Sequence, residues 1–148
     1  MSLEQKINDD IKVAMLVKEK ETLNALRAIK SALLLLKTEK NAGEITEEIE
    51  LKTLQRLVKQ RKESAEIYKS QNREDLCNEE LFQVNIISKY LPEQLSEEDV
   101  INIIKQLIVQ ENITDIREMG KLMGLASKQL TGKADNKIIS EIVKKLLT

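Results

Sequence analysis

VNIISKYLPEQLSEEDVINIIKQLI, residues 84–108, decides the fold. Its apolar residues recur at three- and four-residue steps on both sides of Pro92, the only proline in the chain. That spacing is the signature of one buried helix face. Pro92 lacks an N–H and disfavours helix at the residue before it. An upstream helix with Leu76, Leu81, Val84, Ile87 and Leu91 on its apolar side is therefore expected to stop there. Ser96-Glu97-Glu98-Asp99 then restarts a helix. A serine hydroxyl accepts an otherwise orphaned N–H, and acids in a first turn suit the positive end of the helix dipole. Val100, Ile103, Ile104, Leu107 and Ile108 follow at helical spacing. The joint around Pro92 divides the chain into an N-terminal part, 1–92, and a C-terminal part, 95–148.

Both parts continue the helical pattern. Downstream, Thr114-Asp115 opens a further helix through Met119, Leu122, Met123, Ala126 and Leu130, and Thr131-Gly132 closes it. Asp135 caps the last helix, which carries Ile138, Ile139, Ile142, Val143 and Leu146. Upstream, Ser2 and Gln5 have capping-box spacing, followed by Leu3, Ile7, Ile11, Ala14 and Met15. A charged turn, Lys18 to Glu21, separates this helix from one through Leu23, Leu26, Ile29, Leu33 and Leu36. Asn41-Ala42-Gly43 reads as a turn, and Thr46 caps a long third helix that ends near Gln71-Asn72. The expectation is an all-α protein, with about four helices before the joint and three after it.

Composition agrees. Four glycines, one proline and 2% aromatics leave an aliphatic core and too few turn residues for an all-β chain. No apolar run, Ala32 to Leu36 included, is longer than five residues, far short of a membrane span, and no membrane partner is expected. The absence of histidine removes Ser-His and Cys-His activation and histidine metal sites. The single cysteine, Cys77, precludes an internal disulfide or a CxxC motif, which fits a reducing cytoplasm. No cofactor, metal or catalytic residue is expected, and no glycine loop of the phosphate-cradling kind is present.

The net charge of −1 hides an uneven distribution. Residues 51–62 carry Lys52, Arg56, Lys59, Arg61 and Lys62 with no acid. Residues 74–99 are strongly acidic, and the chain turns basic again from Arg117 onward. On the third helix Lys52, Arg56 and Lys59 share a face, with Lys62 beside them. Such a stripe suits phosphates, although a solvated face paired with Glu48, Glu63 and Glu66 uses the same residues. Gly120 and Gly124 lie one turn apart within a helix, each costing about 1 kcal/mol relative to alanine. Close approach of a neighbouring helix explains such a pair. So does close approach of an RNA backbone, with Lys121, Lys128 and Lys133 alongside. Gly132 reads as a helix stop.

Four stretches together resemble the GatB/YqeY family of small bacterial proteins. They are Leu26-Arg27-Ala28-Ile29-Lys30-Ser31-Ala32, Val58-Lys59-Gln60-Arg61-Lys62-Glu63-Ser64, Tyr90 to Glu98, and Met119 to Gly124 with Gly132-Lys133-Ala134-Asp135. The resemblance covers essentially the whole chain. It implies an all-helical protein whose C-terminal three helices are similar to the tail of the B subunit of aspartyl/glutamyl-tRNA amidotransferases. In those enzymes the tail helps to hold tRNA, and the chemistry resides in a separate, larger domain. The family label, carbon–nitrogen ligase with glutamine as amido donor, thus comes with the tail. Two functions follow as expectations. One is an accessory protein without intrinsic activity that associates with tRNA, or with a tRNA-handling protein, through the two basic surfaces. The other is a protein-interaction adaptor with no nucleic-acid role. An independent amide ligase would need a nucleotide site.

Overall fold

A computed structural model describes residues 2–39 and 43–148. Among them the regular structure is seven α-helices and one 3-10 turn, with no strand, so the fold is all-α. The expected turn at Asn41-Ala42-Gly43 lies outside the described residues except for Gly43. The chain divides into two compact units, Met1–Leu91 and Pro92–Thr148.

The first unit holds α1 (Leu3–Leu16), α2 (Lys20–Thr38), α3 (Glu47–Ser70) and α4 (Glu74–Ser88). Local chemistry sets the helix starts. The Gln5 N–H donates to Ser2 Oγ at 3.2 Å and the Ser2 N–H donates to Gln5 Oε1 at 3.0 Å, a reciprocal capping box. Thr46 Oγ1 accepts from the Ile49 N–H at 3.3 Å. Lys18 (φ 57°) and Asn72 (φ 59°) take left-handed backbone in the turns after α1 and α3. Asparagine tolerates that conformation well, whereas lysine adopts it at a cost of about 1–2 kcal/mol. The four helices close over a core in which Ile7, Leu26, Ile29, Leu54 and Ile87 are all but fully buried. Each such side chain contributes about 1.5–3 kcal/mol by leaving water.

Two details differ from the sequence expectation. Met15, Leu81 and, on the last helix, Ile138, placed on apolar faces by spacing, are 55%, 42% and 41% exposed. All three lie at the margins of their helix stripes rather than at the centres. Helix α4 also ends at Ser88, ahead of Pro92. The residues beyond it make a long-range contact. The Tyr90 hydroxyl donates to Asp10 Oδ2 on α1. Lys6 Nζ sits 5.8 Å from the centre of the same ring. Tyr90 and Leu91 pack against the core from this position. Burial, and then Asp10, push the Tyr90 phenol well above its ordinary range.

The second unit holds α5 (Glu97–Gln110), a 3-10 turn (Ile116–Glu118), α6 (Met119–Gln129) and α7 (Asn136–Leu147). Ser96 Oγ accepts from the Asp99 N–H at 3.1 Å. Asp115 opens the 3-10 turn rather than the α-helix itself. Its carboxylate accepts the Arg117 N–H at 3.0 Å and pairs with the Arg117 guanidinium at 2.9 Å, which tightens the turn before α6 begins. Val100, Ile104, Leu122, Ala126, Ile139 and Val143 form the centre of a separate aliphatic core. Among the described residues no helix is long and apolar enough to cross a membrane.

Candidate nucleic-acid interface

The basic stripe of α3 is a mixed surface. Lys52, Arg56 and Lys59 share the solvent face of the helix, with Lys62 exposed to one side. Helical winding brings Glu48, Glu63 and Glu66 onto that same face. Lys52 Nζ pairs with Glu48 Oε1 at 3.1 Å, one turn away. Arg61, from the same acid-free run, turns inward: its Nε donates to Gln83 Oε1 of α4 at 2.7 Å and its Nη1 to the Leu57 carbonyl at 3.1 Å. That cation braces the α3–α4 pair. The run of five bases therefore yields an alternating face rather than a continuous positive one.

The second unit presents a different surface. Leu122 and Ala126 bury one side of α6, and Gly120, Gly124 and Lys128 follow one another on the opposite, exposed side. Lys121 lies next to that line. A Cβ added at Gly120 or Gly124 would meet nothing within 4 Å. Close approach of a neighbouring helix, the packing reason for such a pair, is thus not what these glycines serve among the described residues. They leave an open, flat strip of backbone flanked by lysines.

The charges around the strip are unequal. Lys121 Nζ lies 3.7 Å from Glu111 Oε2, with both side chains well exposed. Such a pair is worth little and exchanges readily for another anion. Arg117 is held by Asp115, whose carboxyl the guanidinium keeps below the usual carboxylate range. Lys128 and Lys133 are exposed. Lys133 sits in the loop after α6, next to the buried, left-handed Gly132 (φ 78°). Asp135, whose side chain accepts the Lys137 N–H at 3.0 Å, starts α7 directly beyond. The fold brings Gly120, Lys121, Gly124 and Lys128 onto one helix, with Lys133 following. Lys52, Arg56, Lys59 and Lys62 belong to the other unit. Among the described residues no group of three or more acidic or cysteine side chains is arranged to hold a metal ion.

Glu111 escaped sequence reasoning, and Gln94 entered it only as part of the Tyr90–Glu98 stretch, with no role of its own. Gln94 is an amide in a linker and Glu111 an acid at a helix end, and neither belongs to a periodic pattern. Only their spatial neighbours give them a role.

The family model described as Yqey-like protein matches residues 4–147. The chain belongs to the YqeY-like family. Among curated proteins, this YqeY-like chain is 27% identical over 147 residues to "Altered inheritance of mitochondria protein 41, mitochondrial" of Pyrenophora tritici-repentis. That match spans 96% of this chain and 79% of the fungal protein. A shorter stretch of 56 residues is 46% identical to a glutamyl-tRNA(Gln) amidotransferase subunit of Thermococcus sibiricus, spanning 34% of this chain and 9% of that archaeal protein. The likeness to the amidotransferase thus concerns a small part of a much larger protein.

Proposed function

We propose that this YqeY-like protein is an accessory RNA-binding protein, with tRNA as its class of ligand and no chemistry of its own. The observation that carries the reading is the open Gly120–Gly124 strip with Lys121, Lys128 and Lys133 around it. Two glycines weaken a short helix, and among the described residues no neighbour fills the space they leave. A sugar–phosphate backbone fits such a strip, because it needs close approach and nearby cations and asks for no base readout. The partial identity with a tRNA amidotransferase subunit supports the same choice of ligand.

The test is tRNA binding by the purified chain across a salt series, compared with a variant carrying Lys121→Glu, Lys128→Glu and Lys133→Glu. Each phosphate contact contributes about 0.7–0.9 to the slope of log affinity against log salt. Removal of three should flatten the slope by about two and abolish binding at physiological salt. A wild-type chain that fails to bind tRNA at low salt refutes the reading.

A protein-interaction adaptor is the competing reading. It is favoured by the apolar side chains that remain exposed on the second unit, Val109 at 76% and Ile116 at 45%. Binding carried by those side chains would survive the three lysine changes and respond weakly to salt.

A further inference from the structure

Two of the sequence motifs, the Pro92–Leu95 segment and the Gly132–Asp135 segment, meet in the second unit. Gln94 Nε2 donates to the Gly132 carbonyl at 2.6 Å and to the Pro92 carbonyl at 2.9 Å. The next residue continues the contact: the Leu95 N–H donates to the Lys133 carbonyl at 3.0 Å. Both side-chain partners are carbonyl oxygens, so only the NH2 end of the amide serves them. A glutamate of the same length has no proton to offer.

The loop is held from its other side as well. The N–H groups of Lys133 and Ala134 donate to the Leu130 carbonyl at 2.9 and 3.3 Å. Gly132 is buried in left-handed backbone and Ala134 is buried, so between them Lys133 is the residue that faces solvent. A lysine carries many rotamers, and what fixes the origin of its side chain is the backbone on either side of it. Here that backbone is clamped by Leu130 within the loop and by Gln94 and Leu95 from the start of the unit.

We infer that Gln94 is a positioning residue for the basic surface: its amide locks the Gly132–Lys133 turn and so aims Lys133 at the anionic partner. The inference rests on the RNA reading, and its test separates the two. Gln94→Met keeps the side-chain length, adds no charge and cannot donate. In this variant the Leu95 amide should exchange its hydrogen about fivefold faster than in wild type, the factor one neutral hydrogen bond supplies. The core amide of Ile104 serves as the internal reference. Affinity for tRNA should fall about threefold, within the range of one exposed charge contact. The loss should vanish in a Lys133→Ala background, because Gln94 acts through Lys133. General loosening of the unit would instead lower affinity by the same factor in both backgrounds. Unchanged exchange at Leu95, or an effect that adds fully to Lys133→Ala, overturns the inference. Failure of the wild-type chain to bind tRNA overturns the RNA reading and the binding half of the inference, while Leu95 exchange still decides whether Gln94 holds the loop.

Discussion

Replacing Gly120 and Gly124 by alanine should make the protein more stable and a poorer binder. Both residues lie in α6 with helical backbone, and a Cβ at either position would meet nothing within 4 Å. Alanine therefore brings its helix propensity without a clash. The gain is about 1 kcal/mol in a helix interior, which describes Gly124. Gly120 is the second residue of α6, where the propensity term is weaker, so the pair should contribute about 1–1.5 kcal/mol. For a chain of this size that is a rise of about 3–6 °C in Tm. On the RNA reading the two new methyl groups stand where the phosphate backbone approaches. Overfilling a packed contact costs about 1–3 kcal/mol, so binding should weaken from about fivefold to about a hundredfold. Thermal unfolding and tRNA titration of the same preparation give both numbers. A lower Tm refutes the account of the glycines as open helical positions. A higher Tm with unchanged affinity refutes the account of the strip as a contact surface.

Two further predictions concern the first unit. Tyr90→Phe keeps the ring beneath Lys6 but removes the hydrogen bond to Asp10, and should cost about 1 kcal/mol in a denaturant melt at pH 7. The phenol's pKa is raised by folding, so the wild-type protein holds that proton more tightly when folded and loses stability as pH rises above the ordinary value of 10.0. Tyr90→Phe lacks that loss, and the two melting curves should converge in strong alkali. Glu50→Gln should stabilise slightly at pH 7, by at most about half a kcal/mol, because burial, Glu47 and Glu4 all raise the Glu50 pKa and disfavour its charge. The folded wild type gains stability as pH falls through the carboxylate range, so the advantage of the Glu50→Gln variant in denaturant midpoint should disappear by about pH 4.

The parts of the fold legible in the sequence are those set by local chemistry. Ser2 with Gln5, Thr46, Ser96 and Asp135 all cap where their spacing places them, because a cap bonds a backbone N–H two or three residues away. The end of α4 is not legible in this way. Pro92 points to a stop at residue 91, whereas Tyr90 reaches an acid on α1 across 80 residues of chain and the helix ends at Ser88. The acid-free run 51–62 misleads for a related reason. Helical spacing already offers the face shared with Glu48, Glu63 and Glu66 as one of two readings, whereas the turn of Arg61 toward Gln83 shows only in the fold. The glycine pair is legible as a cost. Which of its two explanations fails becomes clear only from the empty space above each glycine.

That emptiness is also what separates the two basic surfaces as candidates. A phosphate approaching α3 must compete with carboxylates already on the same face, such as Glu48 on Lys52. Displacing Glu48 from Lys52 leaves that acid beside the incoming negative charge, and Glu63 and Glu66 lie on the same face. The strip on α6 carries no acid between Gly120 and Lys133. Glu111, which reaches it from outside, holds Lys121 at 3.7 Å and swings away at little cost. Shape points the same way. Lys52, Arg56 and Lys59 stand on a fully side-chained helix and keep a ligand at the length of a lysine. Gly120 and Gly124 allow contact with the helix backbone itself, where dispersion and peptide dipoles add to charge. Charge with access favours the second unit as the place where an anionic partner would sit.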